Sequence, residues 1–169
     1  MLDHSTLLKK LQQEALRLLV RREHSRQELQ QKLTQRIAVL PDFADLDNAA
    51  IGSLMQTMLD GLGVKNWQSD ERFAQQRVAH RGARYGNQRL KQELNQRGID
   101  PDTISSALKN GEDEVERCRT VWQKKFGQAA ETRDESAKQI RFLQYRGFSS
   151  EIIRNVMKSA SLDTDDLIH

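Results

Sequence analysis

The eleven residues from Arg26 to Arg36, Arg-Gln-Glu-Leu-Gln-Gln-Lys-Leu-Thr-Gln-Arg, return from Asn87 to Arg97 as Asn-Gln-Arg-Leu-Lys-Gln-Glu-Leu-Asn-Gln-Arg. Six positions are identical: Gln27/Gln88, Leu29/Leu90, Gln31/Gln92, Leu33/Leu94, Gln35/Gln96 and Arg36/Arg97. A fainter third copy, Leu143-Gln144-Tyr145-Arg146-Gly147-Phe148, aligns with Leu94-Asn95-Gln96-Arg97-Gly98-Ile99. Recurrence on this scale means a short array of similar helical units, each burying its apolar face against its neighbours, and argues against a single catalytic bowl. The functional question becomes what the array lies against.

The repeated segments are built from Gln, Arg, Leu and Glu, all good helix formers, and the chain has only two prolines. With 37% hydrophobic and 30% charged residues, each unit must use its leucines sparingly. The expected fold is all-α, an elongated tandem array of three three-helix units: 1–66, 67–110 and 111–160, followed by an acidic flexible tail at 161–169. The net charge of +3 does not by itself identify a nucleic-acid partner, because distribution matters more than total. Cys118 is the single cysteine, so no intramolecular disulfide can form. No apolar run reaches the roughly 18–20 residues of a membrane span, and no basic-then-apolar leader opens the chain. A soluble, cytoplasmic monomer is expected.

Within unit one, Leu7, Leu8, Leu11, Ala15, Leu18 and Leu19 share one helical face. Ser25 followed by Glu28 reads as a capping box opening the next helix. A third helix begins near Asp47 or Asn48, carries Ile51, Leu54, Met55, Met58, Leu59 and Leu62 inward, and is ended by Gly61 and Gly63. Unit two opens at Ser69-Asp70-Glu71, a cap residue with acids in the first turn, and turns Phe73, Ala74 and Val78 inward. Tyr85-Gly86-Asn87 is a turn into the helix of Leu90 and Leu94, and Gly98 suits its left-handed C-terminal position. Asp100-Pro101 starts the next helix as cap and first residue, with Ile104, Ala107 and Leu108 inside. Unit three begins near Glu112 with a stripe of Val115, Cys118, Trp122 and Phe126. Residues 127–136 read as a mobile polar loop. A helix with Ile140 and Leu143 ends at Gly147, and Ser149 caps a last helix with Ile152, Ile153, Val156 and Met157 inside. From Leu162 to His169 the chain is expected to fray.

These blocks resemble the RecX family of RecA regulators over nearly the whole chain, from about Leu11 to Met157. The first block is Ala15-Leu16-Arg17-Leu18-Leu19, Arg22, Ser25-Arg26-Gln27-Glu28-Leu29 and Leu33. The most specific is Ser69-Asp70-Glu71-Arg72-Phe73-Ala74, then Tyr85-Gly86, Leu90, Glu93-Leu94 and Arg97-Gly98-Ile99. The third is Lys124, Phe126-Gly127, Lys138, Arg141-Phe142-Leu143 and Tyr145-Arg146-Gly147-Phe148. Trp67-Gln68 departs from the family's usual pattern ahead of Ser69, and the 37–48 connection lacks its frequent glycine. The resemblance implies a non-enzymatic protein that lies in the groove of the RecA–DNA filament. It would modulate, mostly downward, the ATPase, strand-exchange and coprotease activities of RecA in recombination, DNA repair and the SOS response.

The residues that carry such contact are basic. From 72 to 97, Arg72, Arg77, Arg81, Arg84, Arg89, Lys91 and Arg97 face one acid, Glu93. Arg77, Arg81 and Arg84 share a helical face about 10 Å long. Like charges on one face repel, so either an acidic partner or phosphate offsets them, or the face is solvated and paired with Glu71 or Glu93. Unit three adds a sparser basic set, Lys138, Arg141 and Arg146, with Arg154 and Lys158. The candidate filament or DNA contacts are Arg72, Arg77, Arg81, Arg84, Tyr85, Arg89, Lys91, Lys138, Arg141 and Arg146. Tyr85 either stacks on a base or partner side chain or anchors two helices. Arg36, Arg97 and Arg146 recur at one helix end, where favourable interaction with the last carbonyls accounts for them. Trp67 reads as a hydrophobic staple ahead of Ser69.

Catalysis and cofactors are not expected. His4, His24, His80 and His169 are scattered without metal-ligand spacing, and no Gly-rich phosphate loop is present. The partner expected is RecA on DNA, with weak direct DNA binding possible and no membrane. The alternative is a general helical DNA-binding module that uses the arginine face alone. A neutral helical scaffold for another protein is a third reading.

Overall fold

Helices begin along this chain wherever a short polar side chain can accept from the backbone N–H groups that the first turn leaves free. In the computed structural model, which describes residues 3–165, this yields nine α-helices, one 3₁₀ turn at Pro41–Phe43 and no strand among the described residues. They are α1 (His4–Leu19), α2 (Arg26–Ile37), α3 (Asn48–Val64), α4 (Asp70–Gly82), α5 (Asn87–Gln96), α6 (Pro101–Asn110), α7 (Glu114–Lys125), α8 (Arg133–Tyr145) and α9 (Ser150–Asp165). Asp3, Ser25, Asp47, Asp100 and Asp113 cap α1, α2, α3, α6 and α7. Ser69 and Ser149 accept from Arg72 N and Ile152 N at the starts of α4 and α9. No described helix is long and apolar enough to cross a membrane.

Several expectations need correction. At Ser25 only half of the capping box forms: Ser25 Oγ accepts from Glu28 N, but the Glu28 carboxylate turns to arginines instead. The complete box lies at Thr132 and Glu135, inside the stretch expected to be a loop, so α8 starts at Arg133. Gly61 and Gly63 do not end α3, which continues to Val64, and the left-handed residue that follows is Asn66, at φ 56°. Trp67 is 44% exposed, with the Lys65 ammonium 4.7 Å from its ring, and does not act as a buried staple. Residues 161–165 of the expected tail are helical, and 166–169 lie outside the described residues.

The chain packs as two compact units. The first runs to Phe73 and includes Arg97–Ile99; the second comprises Ala74–Gln96 and the chain from Asp100 onward. The first unit's core joins Leu7, Leu11, Ala15 and Leu18 of α1, Leu29, Leu33 and Ile37 of α2, and Leu54, Met55, Met58, Leu59 and Leu62 of α3, with Phe43. In the second unit α7, α8 and α9 close around Cys118, Val121, Trp122, Leu143, Phe148, Ile153 and Val156. Burial of a leucine-sized side chain contributes about 1.5–3 kcal/mol, so these clusters outweigh the helices' weak intrinsic stability. Trp122 donates to Gln139 Oε1 at 2.8 Å, and Gln139 donates to Gln128 O, so these two buried side chains have partners. Burial pushes the Cys118 thiol up to about 12, which leaves it a protonated core side chain.

The repeat also has a tertiary meaning. Within the first unit the start of α2 docks on the Arg97–Ile99 turn: Ser25 Oγ donates to Arg97 O at 2.7 Å. Gly98, at φ +75°, lies so close to Gln27 that a Cβ there would meet Oε1 at 1.9 Å. Within the second unit the start of α5 docks on the end of α8 in the same register. Gly86 N donates to Arg146 O at 2.9 Å, and Gln88 N to Gly147 O at 3.1 Å. Gly147, at φ +88°, packs against Arg89, where a Cβ would come within 2.4 Å of Arg89 Cβ. What recurs is a clasp between turns as well as a helix.

Candidate functional site

The clasp in the second unit gathers charged and aromatic side chains that are distant in sequence. It sets the α4–α5 turn, with Tyr85, beside the end of α8, with Tyr145 and Arg146. Arg117 of α7 braces the turn from beneath. Its side chain, 3% exposed, donates to Gly82 O at 3.3 Å, Tyr85 O at 2.7 Å, Glu112 O at 3.1 Å and Asn87 Oδ1. Asn87 N in turn donates to Glu114 at 2.8 Å. Burial pulls the Arg117 pKa down, opposed by the charges of Glu114, Glu112 and Asp113, and the guanidinium is held by neutral acceptors.

On this platform Glu93 collects three arginines: Arg81 at 2.6 Å, Arg77 at 3.5 Å and Arg89 at 3.7 Å. Three guanidiniums against one carboxylate leave two positive charges. Burial would raise the Glu93 pKa, but the hydrogen bond and charge of Arg81, then the charges of Arg77 and Arg89, outweigh it and hold it below the ordinary carboxylate range. Tyr85 fills the space between cations, with Arg81 4.3 Å, Arg89 5.0 Å and Arg146 5.3 Å from its ring centroid. Arg146 also lies 5.1 Å from the Phe142 ring. Arg84, Lys91, Lys138 and Arg141 are exposed, and among the described residues none of them makes an ion pair.

The candidates from sequence therefore divide. Arg77, Arg81, Tyr85, Arg89 and Arg146 form one connected cluster, so Arg77 and Arg81 are half-buried and do not belong to a bare strip. Arg84, Lys91, Lys138 and Arg141 are the free cations. Arg72 belongs to the first unit, where it bonds Glu23 at 2.9 Å and Asn66 at 2.7 Å. Arg97, also in the first unit, reaches Glu28 at 2.9 Å, beside Arg22 at 2.6 Å and Lys32 at 3.9 Å. Arg36 bonds Glu14 at 3.0 Å. The recurring arginines thus hold carboxylates or aromatic rings, not the helix-end carbonyls expected of them.

The two copies reverse their charges in register. Glu28 and Lys32 of α2 stand where α5 has Arg89 and Glu93, yet each copy builds one carboxylate ringed by cations. Arg117 and Tyr145 were not singled out from sequence. Arg117 looked like one more helix arginine, and only the inward register of neighbouring Cys118 hinted at its burial.

Replacing Glu93 with Gln is expected to cost about 1–2 kcal/mol at neutral pH, the scale of a lost charge-assisted hydrogen bond. Because the native pKa is depressed, that contribution is complete above pH ~4.5 and fades as pH falls through the native value. Urea unfolding of both proteins at pH 7 and near pH 3 checks this. A difference that is the same at both pH values contradicts the assignment.

The fold and site define an all-α protein of repeated helical units with a basic surface, and the described residues hold no cluster of three or more His, Cys, Asp or Glu able to bind a metal ion. Residues 69–108 match the family model for the second three-helix domain of RecX, and residues 112–157 match that for the third. "Regulatory protein RecX" of Chromobacterium violaceum is 43% identical over 155 residues, covering 92% of this chain and 93% of the relative. The protein of the same name from Herminiimonas arsenicoxydans is 41% identical over 158 residues, covering 92% and 95%. The crystal structure of RecX from Lactobacillus salivarius superposes with a TM-score of 0.73 at 20% identity, covering 92% of this chain and 97% of that one. The chain belongs to the RecX family of regulatory proteins.

Proposed function

We propose that this protein is a non-enzymatic regulator that binds the RecA–DNA filament in its groove and lowers the ATPase, strand-exchange and coprotease activities of RecA in recombination and repair. Family membership over nearly the whole chain supports the regulatory reading. The observation that carries the surface assignment is the cation excess of the second unit. Glu93 offsets only one of its three arginines, and Arg84, Lys91, Lys138 and Arg141 are left free for an acidic partner. Such a surface speeds encounter and sets register more than it adds raw affinity.

A general DNA-binding module is the competing reading, favoured by the ring-and-guanidinium cluster at Tyr85. The two separate by measuring binding to RecA-coated and to bare single-stranded DNA at one salt concentration. The filament reading expects tighter binding to the coated DNA. Equal or tighter binding to bare DNA, with a log–log salt slope of about −0.7 per phosphate met, selects the DNA-binding module instead.

A further inference from the structure

Tyr145 ends α8 with its side chain in water: the residue is 75% exposed. The core does not use it, since α8 turns Leu143 and Gln139 inward, with Ile140 and Phe142 packed beside them. One exposed tyrosine is ordinary on a protein surface. This one is unusual in its company. The Arg89 guanidinium lies 5.8 Å from its ring, and the same guanidinium is 5.0 Å from the Tyr85 ring, so Arg89 is wedged between two aromatic side chains. Lys138 and Arg141 precede Tyr145 by seven and four residues on one stripe of α8. Both are exposed and free of ion pairs among the described residues. The stripe runs about 10 Å along the helix, the length of about three stacked nucleotides.

We propose that Tyr145 is a stacking platform for a base of single-stranded nucleic acid, with Arg89 supporting the ring and Arg141 and Lys138 taking neighbouring phosphates. Stacking tolerates any base, because every base presents a π-face, and the cations read only backbone charge; the site is therefore indifferent to sequence. An acidic protein surface would engage the cations and leave the ring without a function, whereas a base uses both. The clasp at Gly86 and Gly147 holds the end of α8 against the start of α5, which sets Tyr145 beside Arg89. The proposal rests on the reading that the basic surface of the second unit is the working one, and adds an aromatic contact to it.

The test is binding of the full chain to fluorescent single-stranded oligonucleotides in the absence of RecA, with wild type, Tyr145→Phe, Tyr145→Leu and Tyr145→Ala. Tyr145→Phe keeps the ring and is expected to bind like wild type. Tyr145→Ala and Tyr145→Leu are expected to weaken binding at least about fivefold, the low end for one stacked base. Their salt slope should stay unchanged, because no phosphate contact is lost, whereas Arg141→Gln should lower it. On an oligonucleotide made entirely of abasic residues, wild type and Tyr145→Ala should bind alike. Circular dichroism checks that each variant keeps its helices. Equal binding of the oligonucleotide by wild type and Tyr145→Ala overturns the proposal, as does wild-type binding by Tyr145→Leu or failure of wild type to bind at all. Loss of binding to RecA filaments without loss on bare oligonucleotides also overturns it, and assigns the ring to a protein contact. Regulation of RecA can survive each of these results, so the two readings fail separately.

Discussion

Gly86→Ala is expected to destabilise the second unit by about 2–3 kcal/mol, although the change adds one methyl group to a turn. A Cβ at Gly86 would lie 2.3 Å from Gly147 O, 2.5 Å from Gly147 C and 2.5 Å from Phe148 N, all backbone atoms that cannot swing aside as a side chain does. Relief requires parting the two turns, which breaks the bonds from Gly86 N to Arg146 O and from Gln88 N to Gly147 O. Parting them also draws Tyr85 and Arg89 away from Arg146 and Tyr145. Gly52→Ala is the matched control, because nothing lies within 4 Å of its Cβ position and it sits inside α3. That change should leave stability level or raise it by up to about 1 kcal/mol. Urea denaturation followed by circular dichroism measures both; a Gly86→Ala protein as stable as wild type contradicts the clasp.

Arg117→Ala should cost more, about 3–5 kcal/mol, because it unpairs several acceptors at once, each worth about 1–3 kcal/mol where water cannot replace the donor. The side chain is 3% exposed and supplies the donors for Gly82 O, Tyr85 O, Glu112 O and Asn87 Oδ1. Its removal takes the donor from Gly82 O, which is buried, and from three part-buried acceptors beside it. Arg117→Lys restores the charge but not the planar fork, since one ammonium cannot reach four acceptors spread around a guanidinium. The lysine protein should therefore recover only part of the loss. Full recovery by lysine would mean that charge alone matters at this position.

The sequence showed most where structure follows from local chemistry. Ser25, Asp47, Ser69, Asp100 and Ser149 each cap a helix by accepting from an N–H three residues on, and the leucines of α1, α2 and α5 follow helical spacing. It misled where a local signal had a distant competitor. Glu28 has the spacing of a capping-box acid, but Arg22 and Arg97 offer charge-assisted bonds that the Ser25 backbone N–H cannot match; that N–H has no part in their network. Thr132–Glu135 carried the same signature as Ser25–Glu28, and the polar composition around it masked a helix start. The site itself was half legible. The arginines of α4 and α5 were plain from composition and Glu93 was one of two partners offered for them, but it lies twelve residues from Arg81, and no spacing rule chooses it over Glu71. Gly86 and Gly147 meet across a separation of 61 positions in the chain. Its one available signal was the register of the repeat, which sets Gly86 opposite Ser25 and Gly147 opposite Gly98.

That division changes which variants probe function cleanly. Reversing Arg77 or Arg81 would set an acid beside the half-buried Glu93 and confound binding with loss of stability. Arg84, Lys91 and Arg141 are exposed and outside that network, so their reversal should leave the fold intact.

The most direct test of the account is a titration of RecA ATPase on single-stranded DNA with wild type and with the triple variant Arg84→Glu, Lys91→Glu, Arg141→Glu. The account predicts that wild type lowers ATP turnover at substoichiometric to equimolar ratios, and that the triple variant, equally helical, needs at least about tenfold more protein for the same effect. No change in turnover with wild type across that range, or equal potency of the triple variant, would contradict it.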